Sequence, residues 1–293
     1  MNKKIMGHVA AFFTILIWGT TFISTKILLR SLYPIEILFL RFLLGYAVLW
    51  MVCPHFLRVR EKRQERLFAA AGLCGITLYY LLENIALTDT LASNVGIILS
   101  TAPFFTALLE HMLYREEKPS KRFWAGFLIA MFGIGLLSFG GNSLQIHPLG
   151  DGLAMLAAAV WAAYSLLTRK ISSLGYPVIQ TTRRTFFYGL CGMAPLYMCG
   201  RQGRVAERVM TPGNGFHLLF LGICASAICF VTWSLAVKRL GAVRTSAYIY
   251  MVPMITVVAA ALFLGEVITA RSICGIVLTL AGLLLSEGIG SGI

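Results

Sequence analysis

Along this chain, apolar stretches of about twenty residues alternate with short polar breaks, and that rhythm sets the first expectations. Ten stretches are placed, at about 6–29, 34–53, 66–87, 90–113, 121–139, 149–169, 181–199, 215–237, 242–264 and 270–288. As helices, each covers most or all of a ~30 Å hydrocarbon core. The runs are continuous, whereas a transmembrane barrel alternates apolar and polar residues in segments of ~10. The longest connection, Gly200 to Asn214, is too short for a core of its own, so no soluble domain is expected. The opening run, MNKKIMGHVAAFFTILIWG, mimics a signal peptide. It lacks a small-residue cleavage site and continues to about Leu29, so it reads as an uncleaved first span.

The pattern also repeats. Pro103 answers Pro253, Thr106 answers Thr256 and Glu116 answers Glu266, each 150 positions on. Gly126 and Gly133 answer Gly275 and Gly282 at an offset of 149. At an offset of 143, Gly7 answers Gly150, Trp18 answers Trp161, Lys26 answers Arg169, Tyr33-Pro34 answers Tyr176-Pro177, and Arg41 answers Arg184. Two halves follow, 1–140 and 141–293, with five spans each. Because five is odd, the second half enters the membrane from the opposite face, which makes an inverted repeat. The expected fold is an all-α integral membrane protein: ten helices as two inverted five-helix repeats around a central cavity. Helices 5 and 10 should support it from the side through their glycine faces.

Composition agrees with the spans. Of 293 residues, 58% are hydrophobic and 13% charged, and mean hydropathy is +0.79, outside the range of soluble domains. The net charge of +13 would suggest nucleic acid on a soluble protein. Here the basic residues sit in short loops between apolar runs, so they read as orientation signals and no nucleic-acid partner is expected. With the N-terminus in the cytoplasm, sixteen Lys and Arg fall in inside segments and five in outside ones. Both termini are therefore expected in the cytoplasm, with the chain in the cytoplasmic membrane. The outer loop bearing Arg201, Arg204 and Arg208 is the local objection. Seven cysteines lie in or beside apolar runs without CxxC or zinc spacing, and read as small apolar residues.

The whole chain resembles the EamA-type branch of the drug/metabolite transporter superfamily. The residues that carry the resemblance are Trp18-Gly19, Leu40-Arg41-Phe42, the run TDTLASNVGIILSTAPFFTALL (88–109), and Gly265-Glu266 with the glycine-bearing helix after it. The resemblance implies ten helices around a central cavity and transport of small metabolites, typically export. The first half departs from the pattern at Arg115-Glu116, where glycine-glutamate is usual.

Candidate chemistry lies inside the spans. Ionisable groups there are costly and are functional by default. Glu83 follows Tyr79 and Tyr80 by four and three residues, so the three share a helix face, with Asn84 adjacent. A carboxylate, two phenols and an amide suit a cation or a zwitterion; the alternative is a structural ion pair of Glu83 with Lys26 or Arg41. Arg41 is expected to pair with Glu36 or Glu83, or to meet an anionic group of the substrate. Lys26 and Arg169 read as side chains snorkelling to the interface. Glu110, His111, His8 and Asp151 read as interfacial. Trp18 completes the substrate-binding set of Glu83, Arg41, Tyr79, Tyr80 and Asn84. Pro103 and Pro253, midway in their helices, break the hydrogen-bond ladder and are candidate hinges. The paired glycines read as packing, with a homodimer contact as the minor alternative.

Three function classes compete. The leading one is a secondary transporter of a small molecule, embedded in membrane lipid, working by alternating access and exporting its substrate. A membrane enzyme acting on lipid-linked substrates would need a catalytic cluster in its loops, and these hold only scattered charges. A structural or sensory protein gives no reason for the repeat. There is no Walker motif, HExxH or other ligand spacing, so no cofactor and no metal are expected.

Overall fold

In a computed structural model, described over residues 3–114, 121–138, 147–200 and 205–287, all regular structure is helical. In lipid a helix satisfies its own backbone, which is why uninterrupted apolar runs take this form. Ten long helices succeed one another: α1 (Lys3–Leu28), α2 (Pro34–Val52), α3 (Lys62–Asp89), α4 (92–114), α5 (Lys121–Ser138), α6 (Pro148–Ser173), α7 (Val178–Cys199), α8 (Pro212–Leu240), α9 (242–264) and α10 (Ala270–Glu287). Prolines open α2, α6 and α8, where a missing N–H costs nothing. Gly241 and Gly265 close α8 and α9 with positive φ, +88° and +69°. Seven helices, α1–α4, α6, α8 and α9, are long and apolar enough to cross a bilayer. Of the other three, α7 carries Arg183 and Arg184, while α5 and α10 have 18 residues each.

Four of the helices are irregular, in two matched pairs. In α3 a π-helical segment spans Leu73–Leu78, and in α8 another spans Phe220–Ile228. In α4 the helix breaks between Ala92–Leu99 and Ala102–Tyr114, directly before Pro103. In α9 a 3-10 segment, Ala247–Met251, precedes Val252–Leu264 and Pro253. A proline ring removes one donor and crowds the carbonyl four residues back, which accounts for the last two. The connection after α7 contains a helical turn, Val205–Val209, whose Val205 is buried.

The packing is reciprocal. α1 packs on α8 and on the second part of α9, while α6 packs on α3 and on the second part of α4. α2 and α7 cross each other, and each also meets the other half's π segment. Small residues permit these approaches. A Cβ added at Gly45 would stand 3.1 Å from the Gly222 carbonyl oxygen, and one added at Gly189 would stand 3.2 Å from that of Gly72. α5 and α10 lie against each other along their glycine faces. A Cβ at Gly133 would fall 2.6 Å from the Thr279 amide nitrogen, and one at Gly282 would fall 2.4 Å from the Ala130 nitrogen. The paired glycines are thus packing residues inside one chain, as the seven-residue spacing predicts. Glu116, Arg115 and Asn142 lie outside the described residues.

Candidate binding cavity

Where the helices of the two halves meet, a cavity of about 40 Å³ is lined by Trp18, Thr21 and Phe22 of α1, Tyr79, Tyr80 and Glu83 of α3, Leu99 and Ala102 of α4, Trp161 of α6, and Ile249 and Val252 of α9. The wall is aromatic. Trp18 meets Trp161 edge-on at 5.2 Å and Trp233 at 5.1 Å between ring centroids, and its Nε1 donates to the Ala225 carbonyl at 3.0 Å. Tyr79 lies 4.7 Å from Trp161. Behind this layer Phe42, Phe186 and Phe230 stack edge to face at 5.0–5.7 Å. Rings in such edge-on pairs gain beyond their buried area.

Glu83 is the only ionisable carboxyl among the lining residues. It is 1% exposed, the Tyr79 phenol sits against it, and its Oε1 has no hydrogen-bond partner. α3 runs on to Asp89, so Glu83 stands six residues inside the helix end, deeper than the sequence placed it. Arg41 is fully buried. Its Nε donates to Ser226 Oγ at 3.1 Å, and its guanidinium lies 4.5 Å from the Tyr80 ring centroid and 5.1 Å from that of Phe42. Its two terminal nitrogens have no partner.

Several pairings expected from sequence are corrected. Arg41 pairs with neither Glu36 nor Glu83. Glu36 is held by Arg208 at 2.8 Å and by the Tyr33 amide at 2.9 Å, which ties the start of α2 to the turn before α8. Glu83 makes no ion pair with Lys26 or Arg41. Lys26 does not snorkel: its Nζ donates to the carbonyls of Leu87 and Thr90, both at 2.6 Å, capping the end of α3. Arg169 is ion-paired with Glu110 between α6 and α4. Asn84 donates to the Pro34 carbonyl at 3.3 Å and does not line the cavity. His8 bonds the Tyr248 hydroxyl at 2.7 Å, and Asp151 accepts from Thr90 at 3.1 Å.

Polar contacts join helix ends on either side of the cavity. At the end where α4 begins, Glu266 accepts from the amides of Ala92 and Ser93, at 3.1 and 3.3 Å, and from the Ser93 hydroxyl at 2.6 Å. The Gly150 amide donates to Asp89 at 2.8 Å. At the opposite end Arg169 binds Glu110, Arg184 binds Glu65, and Arg183 donates to the carbonyls of Cys53 and His55. Of the residues expected at the site, Trp18, Tyr79, Tyr80 and Glu83 line this cavity and Arg41 does not. Sequence reasoning missed Phe22, Leu99, Ala102, Ile249 and Val252, which carry no signal beyond apolarity, and Thr21, whose hydroxyl is spent on the Trp18 carbonyl. Trp161 was visible as the counterpart of Trp18.

Comparison with known proteins places the chain. A model described as the EamA-like transporter family matches it twice, over residues 5–139 and 148–287. Similar proteins include an uncharacterized transporter of Archaeoglobus fulgidus, 29% identical over 98% of both chains. A probable terminal-alkyne amino-acid exporter of Streptantibioticus cattleyicolor is 26% identical, covering 93% of this chain and 90% of its own. A probable amino-acid metabolite efflux pump of Escherichia coli is 24% identical over 98% and 95%. One solved crystal structure superposes with a TM-score of 0.71 at 18% identity, covering 97% of this chain and 99% of its own, a likeness of fold.

Proposed function

The chain belongs to the EamA-like transporter family and is a membrane transporter of small metabolites; from that premise we propose that it works by alternating access through the cavity around Glu83, exporting its substrate. The carrying observation is a buried carboxylate with an unpaired oxygen, facing an aromatic cavity between the halves. A charge so placed is expensive in a membrane and points to a substrate or proton pathway. The reciprocal packing of α1 and α6 supports the inverted repeat, with halves meeting near residue 140 and ten spans in all. The charge bias supports both termini in the cytoplasm of a cell bounded by that membrane. The breaks before Pro103 and Pro253 are the hinges of the two opposed gates.

The test is Glu83→Gln in proteoliposomes, which keeps shape and removes charge. Transport should fall at least about tenfold with insertion unchanged. A wild-type rate would make Glu83 structural. Reporter fusions at Arg63 and Lys238 should read cytoplasmic; an external signal at either would overturn the topology.

A further inference from the structure

We propose that a second pocket, between the end of α2 and the start of α7, binds the phosphate of an anionic phospholipid, with Arg183 as its cation. It is separate from the central cavity and independent of the reading of Glu83. Only its assignment to the cytoplasmic leaflet rests on the topology proposed above.

This pocket measures about 140 Å³ and is lined by Tyr46, Trp50 and Phe56 on one side and by Gln180, Arg183 and Phe187 on the other, with Arg184 next in line. Arg183 is 4% exposed, and its guanidinium lies 3.8 Å from the Trp50 ring centroid. Its two terminal nitrogens donate to the carbonyls of Cys53 and His55, just beyond the end of α2. Those acceptors are neutral, and no carboxylate pairs with Arg183 among the described residues. The ring and the carbonyls thus fix the group in place and leave its charge uncompensated. They use two of its five N–H donors, and the others remain for a ligand. Arg184 is different: Glu65 neutralises it, so the pair adds shape and little charge. The Gln180 amide, which reaches the Cys53 sulfur at 3.9 Å, is a further donor.

The surroundings select the ligand. An uncompensated guanidinium with free donors suits a phosphate, which it meets in a forked geometry. A free phosphate would gain nothing from the apolar surface beside the site, where Phe56 is 75% exposed and Met51, Val52 and Phe187 are exposed as well. Acyl chains attached to the phosphate would cover that surface. Trp50 and Tyr46 stand at the end of a spanning helix, where amphipathic rings sit at headgroup level. A zwitterionic headgroup brings an ammonium that finds no free acid here, because Glu65 is taken by Arg184 and Tyr188. An anionic headgroup has no such mismatch. The next stretch of chain strengthens the preference, since Arg58, Arg60, Lys62, Arg63 and Arg66 are all exposed. The opposite end of the repeat lacks the cation: at an offset of 143, Arg183 answers Leu40. Because α2 and α7 cross and belong to different halves, a lipid seated here touches both sides of the joint between them.

The test uses the full-length protein in detergent, titrated with phosphatidylglycerol, with phosphatidylcholine of the same chains, and with soluble glycerol 3-phosphate. Bound lipid is counted by native mass spectrometry and affinity is read from the rise in unfolding midpoint. In the wild type phosphatidylglycerol should bind at least about fivefold more tightly than phosphatidylcholine, and glycerol 3-phosphate at least about tenfold more weakly than phosphatidylglycerol. Arg183→Gln should erase the preference between the two lipids, and Arg183→Lys, which keeps the charge and loses the fork, should keep part of it. Gln180→Leu and Trp50→Phe break neither carbonyl bond, and each should lower the preference at least about twofold; they decide the matter if the arginine variants do not fold. Equal affinity for the two lipids in the wild type, or a preference unchanged in Arg183→Gln, overturns the proposal. So does a preference unchanged in both Gln180→Leu and Trp50→Phe. Glycerol 3-phosphate binding as tightly as phosphatidylglycerol makes this a site for a soluble anion and also overturns it. An external reporter signal at Arg63 with the lipid preference intact moves the site to the other leaflet, so the topology fails and the site stands.

Discussion

Arg41 and Arg184 occupy answering positions in the two halves, and they differ in almost every physical respect. Arg184 is partly exposed and paired with Glu65, which also accepts from the Tyr188 hydroxyl at 2.7 Å. Arg41 is buried without a counter-ion, between aromatic rings. The same contrast holds for Glu83, whose counterpart at an offset of 150 is Trp233, fully buried against Trp18 and Trp161. Of these pairs the first half supplies the buried charges, Arg41 and Glu83, and both halves supply wall. Two halves that match the same family model therefore differ in chemistry, and the difference is concentrated around the central cavity.

The largest effect should come from forcing the halves to be alike. Trp233→Glu puts a second acid at the mirrored position and removes a buried indole. It should cost about 3–5 kcal/mol of stability, seen as lost yield of folded protein or a much lower unfolding midpoint. Next, Arg41→Gln removes an unpaired buried charge. In the absence of substrate it should stabilise the protein by about 1–3 kcal/mol, a rise in Tm of several degrees by scanning fluorimetry. A fall in Tm would mean that the guanidinium contributes to stability as it stands. Arg184→Gln should have the opposite sign and a smaller size, below about 1 kcal/mol, because it breaks a partly exposed pair. The subtlest expectation concerns the hinges. Pro103→Ala and Pro253→Ala should slow transport by a few-fold, about 2–10 times, while leaving substrate affinity within about twofold. If affinity falls as much as rate, the prolines shape the site and not its opening.

The long helices were legible because lipid makes length and apolarity sufficient signals: every long helix falls within a few residues of an apolar run. That the glycines of α5 and α10 form packing faces was legible from their spacing; that the two faces meet each other was not. The π segments of α3 and α8 were not, since Leu73–Leu78 and Phe220–Ile228 are ordinary apolar sequence and the wider turn answers to neighbouring helices. Charge partners were the weakest point. Lys26 caps carbonyls 61 and 64 residues away, and Glu36 meets Arg208 across 172 residues. Such pairings depend on how helices rotate against one another, which periodicity leaves open. Glu83 was found because cost is a local property of a sequence, whereas partnership is not.

The seam of α5 and α10 has a mechanical consequence. At Gly133 and Gly282 the facing backbone, joined at Gly133 by the Thr279 hydroxyl, leaves no room for a Cβ, so there is little slack along the helix axes. Sliding one helix by a single residue, 1.5 Å, would bring side chains into the place of hydrogens. Rolling about the line of contact displaces the seam itself very little. The halves are thus joined along one flank by something closer to a door hinge than a rail, and the displacement that any tilt produces grows with distance from it.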